Sequence, residues 1–427
     1  VDRGERYRSG VTPTVSNLRY GPLLRAANGA AAVGEWAGAS LGHLDAGDIL
    51  AAARRQTGLS DWGDEGFRAH LEKVVAFARE KEGLTPLARV ILRQSFVRAV
   101  CNRLWLQDWL RRHPAVRERR VERPIFVLGF PRTGTTVLQN LFAAHPDRRG
   151  LPFWQLTVPV PVCDDPVDDA RRRRRATDWM LFFAWRAAPE MGEVHYIDTD
   201  TLEECWPLFA NTFSVMNWEL QAGLDAWGDW LQSEADMRRA YQEYRTYLQV
   251  NLDRQPAGQL VLKCPEHLWF LDALLDVFPD ACVVWTHRDP YETIGSYCSL
   301  MSLQWRTLYG EIDRPALGAF LERRLLVGID RALAVRDRRG EASFFDARFQ
   351  DTVKDPIGVV ERASAHFGLD CPPRAQMEAW LGQKRADERG KHRYDPADYG
   401  LVRERVDARY AHYVSRFGLT PGGGRRA

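Results

Sequence analysis

The chain has 427 residues, 45% of them apolar, which is material for a large core or for two to three domain-sized units. Lysine and arginine (59) nearly cancel aspartate and glutamate (57), so the net charge of +2 gives no basis for a nucleic-acid partner or a general attraction to membranes, and any basic site must be local. The seven cysteines are odd in number, contain no C-x-x-C pair and argue against a disulfide framework or a zinc site and for a reducing, cytoplasmic compartment; no run approaches a membrane span, and the opening VDRGERYRSG has no signal-peptide core.

Residues 1–40 are rich in Gly and Ala without a sustained period and read as an extended arm or loose helical lead-in. From Asp45 to His113 the spacing predicts three helices packed on one another: DAGDILAAARR, EGFRAHLEKVVAFAREKEG closed by Gly83, and a long one opened by Pro86 and ended by Pro114. These make a helical N-terminal region, residues 1–120. The wide apolar face of the third helix (Val90, Ile91, Phe96, Val97, Val100, Leu104) suits either core or the border of a hydrophobic pocket.

An α/β part spans 121–420. It opens with a β-rich run, Ile125 to Leu128, then the loop GFPRTGTT and a helical pattern. The loop has the spacing of a Walker A loop, but Thr135 stands where an NTPase needs lysine. Arg132, Thr133, Gly134, Thr135 and Thr136 would still form an anion cradle at a helix N-terminus. A second short strand is expected in the proline-rich stretch that follows. The five arginines Arg171–Arg175 open an amphipathic helix; they suit a solvated face, an anionic acceptor or a membrane surface. Further on, a helix beginning near Thr201 would make Glu203 and Glu204 first-turn acids. Trp206, Trp218, Trp227 and Trp230, with Phe209 and Phe213, suggest core or an aromatic-lined cavity.

After a helix from Ser233 to about Leu252, Gln259–Lys263 reads as a strand, with a helix from Pro265 to Phe278 behind it. Lys263 and His267 then lie at a strand's carboxyl end and in the next first turn, where open α/β sheets bind ligands, and a buried lysine there calls for an anion. Another buried strand, ACVVWTH, ends at Arg288 and leads into a helix carrying Ser296. A further strand is expected around Ser343–Asp346, and the tail 421–427, PGGGRRA, reads as disordered. The fold class is α/β: a P-loop-like parallel sheet flanked by helices, with a helical N-terminal region.

GFPRTGTT and VVWTHRDPYETIGSYC, with the Lys263/His267 strand end and the basic stretch RGKHR at 389–393, resemble the signature of sulfotransferases that use 3′-phosphoadenosine 5′-phosphosulfate (PAPS). The resemblance covers about the last three hundred residues. It implies transfer of a sulfuryl group from PAPS to a hydroxyl of a small hydrophobic or aromatic molecule, leaving 3′-phosphoadenosine 5′-phosphate (PAP), without a metal. It implies that Arg288 and Ser296 hold the 3′-phosphate and that Arg389, Gly390 and Lys391 close over it. Phe349 stands near the adenine where the family often has tyrosine, and Trp154-Gln155 replaces a common Trp-Glu pair. Arg132, Lys263 and the loop amides would stabilise the departing 5′-phosphate. His267 is the expected general base, with His195, Glu203 and Glu204 as rivals. Two alternatives are a P-loop kinase or NTPase, which would need the missing lysine and an acid where this chain has Thr286, His287 and Arg288, and a non-catalytic nucleotide-binding protein.

Overall fold

Every residue of the run IFVLG is buried, and the period of two assigns its sides to different cores. In the computed structural model, which describes residues 21–38, 40–187, 189, 195–386 and 394–420, this run is β1 (Ile125–Gly129), the central strand of a five-stranded sheet. The others are β2 (Arg148–Arg149), β3 (Gln259–Lys263), β4 (Cys282–His287) and β5 (Phe344–Arg348), in the spatial order β2-β3-β1-β4-β5. All pairings are parallel; Ile125 lies opposite Val261 on one side and Cys282 on the other.

Phe126, Leu128, Leu260, Leu262, Val283 and Trp285 join one apolar cluster, which continues into Phe96, Val100 and Leu104 of the N-terminal helices. Ile125, Val127, Val261 and Val284 point the other way, onto Leu138, Leu141 and Val360. Burial on both faces is what a parallel sheet covered by crossover helices requires. The fold is therefore the α/β, P-loop-like sheet expected, with helices on both sides.

The three predicted N-terminal helices are Ala46–Thr57, Phe67–Glu80 and Pro86–Arg112. Asp45 caps the first by accepting from the Asp48 amide at 2.9 Å, Gly58 closes it at φ 69°, and Thr85 caps the third through the Ala88 amide at 3.2 Å. The lead-in holds a further regular helix, Pro22–Trp36. The boundary placed near residue 120 falls in the link between Pro114–Glu118 and β1, and the apolar cluster runs across it.

Two local expectations are corrected. No helix begins near Thr201. Residues 201–205 form no helix, because the Glu203 amide donates to the Leu151 carbonyl at 3.3 Å and the Cys205 amide to the Lys263 carbonyl at 2.9 Å; the helix is Trp206–Ala210. The helix expected from Pro265 is a 3-10 turn, Pro265–Leu268, followed by Leu271–Val277. Trp269 interrupts it by docking on the helix Arg314–Arg339, where its indole N–H donates to the Arg324 carbonyl at 3.2 Å and Arg331 donates to its own carbonyl at 2.9 Å.

The arginine run lies on the helix Pro166–Ala187 and is mostly paired. Arg171 and Arg172 bind Asp168, Arg174 binds Asp200 at 2.6 Å, and Arg173 is buried against Asp169 with its guanidinium over the Trp154 ring. Among the described residues no helix is long and apolar enough to cross a membrane.

Candidate active site

The site is built where β1, β3 and β4 end. Gly129 closes β1 at φ 142°, and a Cβ there would run into the Thr286 side chain and carbonyl, so only glycine lets the loop pass β4 this closely. Thr133 pins the loop from within: its hydroxyl donates to the Phe130 carbonyl at 2.6 Å and meets the Thr286 hydroxyl at 2.5 Å. Gly134, at φ 92°, is the N-cap of the helix Thr135–Ala143 and supplies no capping side chain. The first-turn amides around Thr135 and Thr136 are thus left for an anion, in the field of the helix dipole.

Arg132 takes the left-handed conformation (φ 70°), rare for a residue with a side chain. Its Nε donates to the Ser296 hydroxyl at 3.3 Å, and its carbonyl accepts from Arg288 Nη1 at 2.9 Å. Burial lowers the Arg132 pKa from the ordinary guanidinium value. The Arg288 guanidinium lies 4.3 Å from the centre of the Phe349 ring, and a Cβ at Gly134 would sit 3.6 Å from that ring. Arg132, Thr133, Gly134, Thr135, Thr136, Arg288, Ser296 and Phe349 are therefore brought together. Arg288 Nε is buried without a hydrogen-bond partner among the described residues, and two guanidinium groups share one crevice. A multiply charged anion with several acceptor oxygens fits that donor set. Arg389, Gly390 and Lys391 lie outside the described residues.

Beside the cradle, Lys263 ends β3 with only 1% of its side chain exposed. Its Nζ is 3.2 Å from the Thr136 hydroxyl, 3.7 Å from Glu203 Oε2 and 3.6 Å from Glu204 Oε1. Burial alone would depress the lysine pKa, but the two carboxylates outweigh it and raise the value, so the ammonium is firmly charged. Glu203 shows the converse. Burial would raise its pKa, yet the Lys263 charge and His195, whose Nε2 is 3.3 Å away, hold it down at about 2. Glu204 keeps 26% of its side chain exposed and is the more open acid of the pair.

His267 is not where the sequence suggested. The 3-10 turn carries its ring inward, fully buried among Phe126, Phe209, Tyr241 and Tyr244, with Nδ1 2.8 Å from the Tyr241 hydroxyl. Burial lowers its pKa to about 3, the wrong direction for a group that must gather a proton near neutrality. Gln155, in the position of the family's acid, is buried and tied to Arg149 and Gln255 at 2.9 Å each, as a structural link.

Other neighbours carried no local signal. Tyr394 donates to the Glu292 carbonyl at 3.1 Å and lies beside Ser296 and Arg132. Asp289, next to Arg288, is gripped by Arg403. His287 bonds Asp346 at 2.8 Å and the Tyr413 hydroxyl at 3.0 Å, and stacks on Phe417. Their hydrogen-bond, ion-pair and stacking partners are 59 to 130 positions away, beyond the reach of any motif.

A sheet of this order with a glycine loop on its central strand defines a P-loop-like protein, and a loop lacking the Walker lysine sets it apart from the NTPases of that class. The profile of the sulfotransferase family matches residues 124–373, and the chain belongs to that family. It is 23% identical, over 313 residues, to omega-hydroxy-beta-dihydromenaquinone-9 sulfotransferase Stf3 from Mycobacterium bovis and from Mycobacterium tuberculosis; the match covers 69% of this chain and 75% of each relative. In structure it is similar to sulfotransferase STF9 from Mycobacterium avium, with a TM-score of 0.79, 30% identity and coverage of 88% of this chain and 97% of the other. Sulfotransferase STF1 from Mycobacterium tuberculosis H37Rv follows with a TM-score of 0.75 and 30% identity, over 86% of this chain and 98% of its own.

Proposed function

We propose that the protein transfers a sulfuryl group from PAPS to a hydroxyl of a small, largely apolar acceptor. The observation that carries this reading is the crevice in which Arg132, Arg288 and Ser296 meet beside uncapped helix amides, with a buried donor of Arg288 still unpaired. When bound, PAPS supplies a sulfuryl group whose bond to the 5′-phosphate oxygen breaks as the bond to the acceptor oxygen forms.

The chain's own residues have distinct tasks in this reading. Arg288 and Ser296 hold the 3′-phosphate, joined by Arg389, Gly390 and Lys391. Phe349 meets the adenine, and the amides and side chains of Thr133, Gly134, Thr135 and Thr136 hold the 5′-phosphate. Arg132 and Lys263 face the charge that develops on the bridging oxygen, where preorganised cations act most strongly. Glu203 keeps Lys263 protonated and fixed. Glu204, open enough to meet an acceptor, takes its proton, a task moved here from His267 because of that ring's enclosure. The relative named for a hydroxylated menaquinone makes a hydroxylated prenyl quinone the first acceptor to try.

The test is thermal unfolding with PAP, AMP and ATP, followed by labelled sulfate transfer onto a panel of hydroxyl compounds. PAP is expected to raise the melting temperature well above either other nucleotide, through binding to the native state. Equal shifts from PAP and AMP would overturn the assignment of the 3′-phosphate residues.

A further inference from the structure

A cavity of about 280 Å³ lies between the helices Pro86–Arg112 and Pro166–Ala187 and the chain from Trp206 to Ala222. Its wall is mainly apolar, with Leu92, Phe153, Leu156, Met180, Trp206 and Trp218 among its residues. The size is near the lower end for small-molecule pockets, right for a ring or a short chain. Small side chains such as Ala210 and Ser95 leave the space open.

The cavity is joined to the acid pair by one short segment of chain. Trp206 follows Glu204 by two residues, with Cys205 between them already in helical conformation, so the wall starts within roughly 7 Å of Glu204, the reach of a fully extended link. The opposite wall is tied to the same segment: the Phe153 amide donates to the Thr201 carbonyl at 2.9 Å. On the helix that supplies Met180, Trp179 and Phe183 stack on each other while 53% and 63% exposed, so apolar surface continues outward beside the cavity. Isolated exposed apolar residues are ordinary; an aromatic pair next to a cavity marks a place where apolar ligands gather.

We propose that this cavity receives the apolar arm of the acceptor, a ring or a prenyl or alkyl chain, while its hydroxyl reaches Glu204. The assignment of the hydroxyl rests on the sulfotransferase reading; the cavity's affinity for apolar chains does not. The N-terminal helical region thereby becomes half of the acceptor site, since Leu92 and Ser95 come from its longest helix.

The experiment is calorimetric titration of the PAP-treated protein with straight-chain primary alcohols from ethanol to dodecanol. Affinity is expected to rise about threefold to fourfold per methylene until the cavity is filled, then level off. Ala210→Phe, which fills the space from the Trp206 side, should move the levelling point to shorter chains and weaken the longest alcohols by at least tenfold, with the PAP thermal shift unchanged. Ser95→Phe, on the exposed turn of the opposite wall, should do the same and stands in if the first variant folds poorly. A flat chain-length series, or the same series in wild type and both variants, overturns the proposal. Failure of PAP to shift the melting temperature, with the alcohol series as described, overturns the PAPS reading and leaves the cavity assignment standing.

Discussion

The ammonium of Lys263 and the carboxylate of Glu203 face each other across 3.7 Å with 1% and 6% of their side chains exposed. Two charges so far withdrawn from water stay ionised only together, so removing one strands the other. Glu203→Gln should destabilise the protein by about 3 kcal/mol, near the low end for a broken buried pair because Glu204 still faces the lysine. The Glu203 pKa falls from 4.5 to about 2 on folding, so its contribution is complete above pH 4.5 and is lost as pH falls through 2. Urea unfolding at pH 7 and pH 3 checks this; the gap between wild type and variant should be narrower at pH 3.

The proton-accepting role separates Glu204 from His267. Glu204→Gln should lower the transfer rate by roughly 10²-fold or more while PAP affinity stays within a few-fold. His267→Ala should act on folding instead, stranding the Tyr241 hydroxyl at a cost of about 1–3 kcal/mol, with the folded fraction keeping most of its rate. A folded His267→Ala protein that loses the larger factor, beside an active Glu204→Gln, would return the role to histidine.

Arg288→Ala removes a guanidinium whose Nε is buried at the cradle without a partner among the described residues. Loss of charge-assisted contacts worth about 1.5–3 kcal/mol should weaken PAP by roughly 10- to 100-fold and leave AMP almost unaffected. Competition titration of the two nucleotides measures the difference.

Glu266, two positions before Leu268 in the same turn as His267, has a different signature. Its Oε1 accepts from the Met216 amide at 2.6 Å, its Oε2 has no partner among the described residues, and burial pushes its pKa up to about 8. Between pH 4.5 and 8 the folded protein holds a proton that the unfolded chain releases, so this group lowers stability as pH rises through that window. Glu266→Gln should melt close to wild type at pH 5.5 and at least about 2 °C above it at pH 8.5. Parallel melting curves across that range would count against a protonated Glu266.

Transfer should survive excess EDTA, because β4 runs into Thr286, His287 and Arg288 where a magnesium-dependent NTPase places an acid. Activity lost on chelation and restored by Mg²⁺ would favour a kinase-like reaction.

The sheet was legible because its central strands are buried on both faces and end in glycine, lysine or histidine; β3 falls on Gln259–Lys263 as the apolar run indicated. The anion loop was legible for a similar reason, since glycine spacing reports backbone geometry directly. Glu203 and Glu204 misled because local propensity favours acids in a first turn, whereas the bonds from the Glu203 amide to Leu151 and from the Cys205 amide to Lys263 keep the segment out of a helix. His267 misled because an α-helical continuation was assumed from Pro265; Trp269's docking 55 residues along the chain tightens the turn and rotates the imidazole inward. Arg403 and Tyr413 had no local mark at all, as each acts on a strand end more than a hundred positions earlier.

The C-terminal segment sets a limit on how the chain can be divided. Arg288 stands between His287, whose ring lies 3.7 Å from that of Phe417, and Asp289, which Arg403 holds through three contacts of 2.8 Å. The family match ends at residue 373. A fragment trimmed to that match would keep every residue of the phosphate loop and lose the buckle that fastens the arginine opposite it. It would carry the signature of the family without the grip.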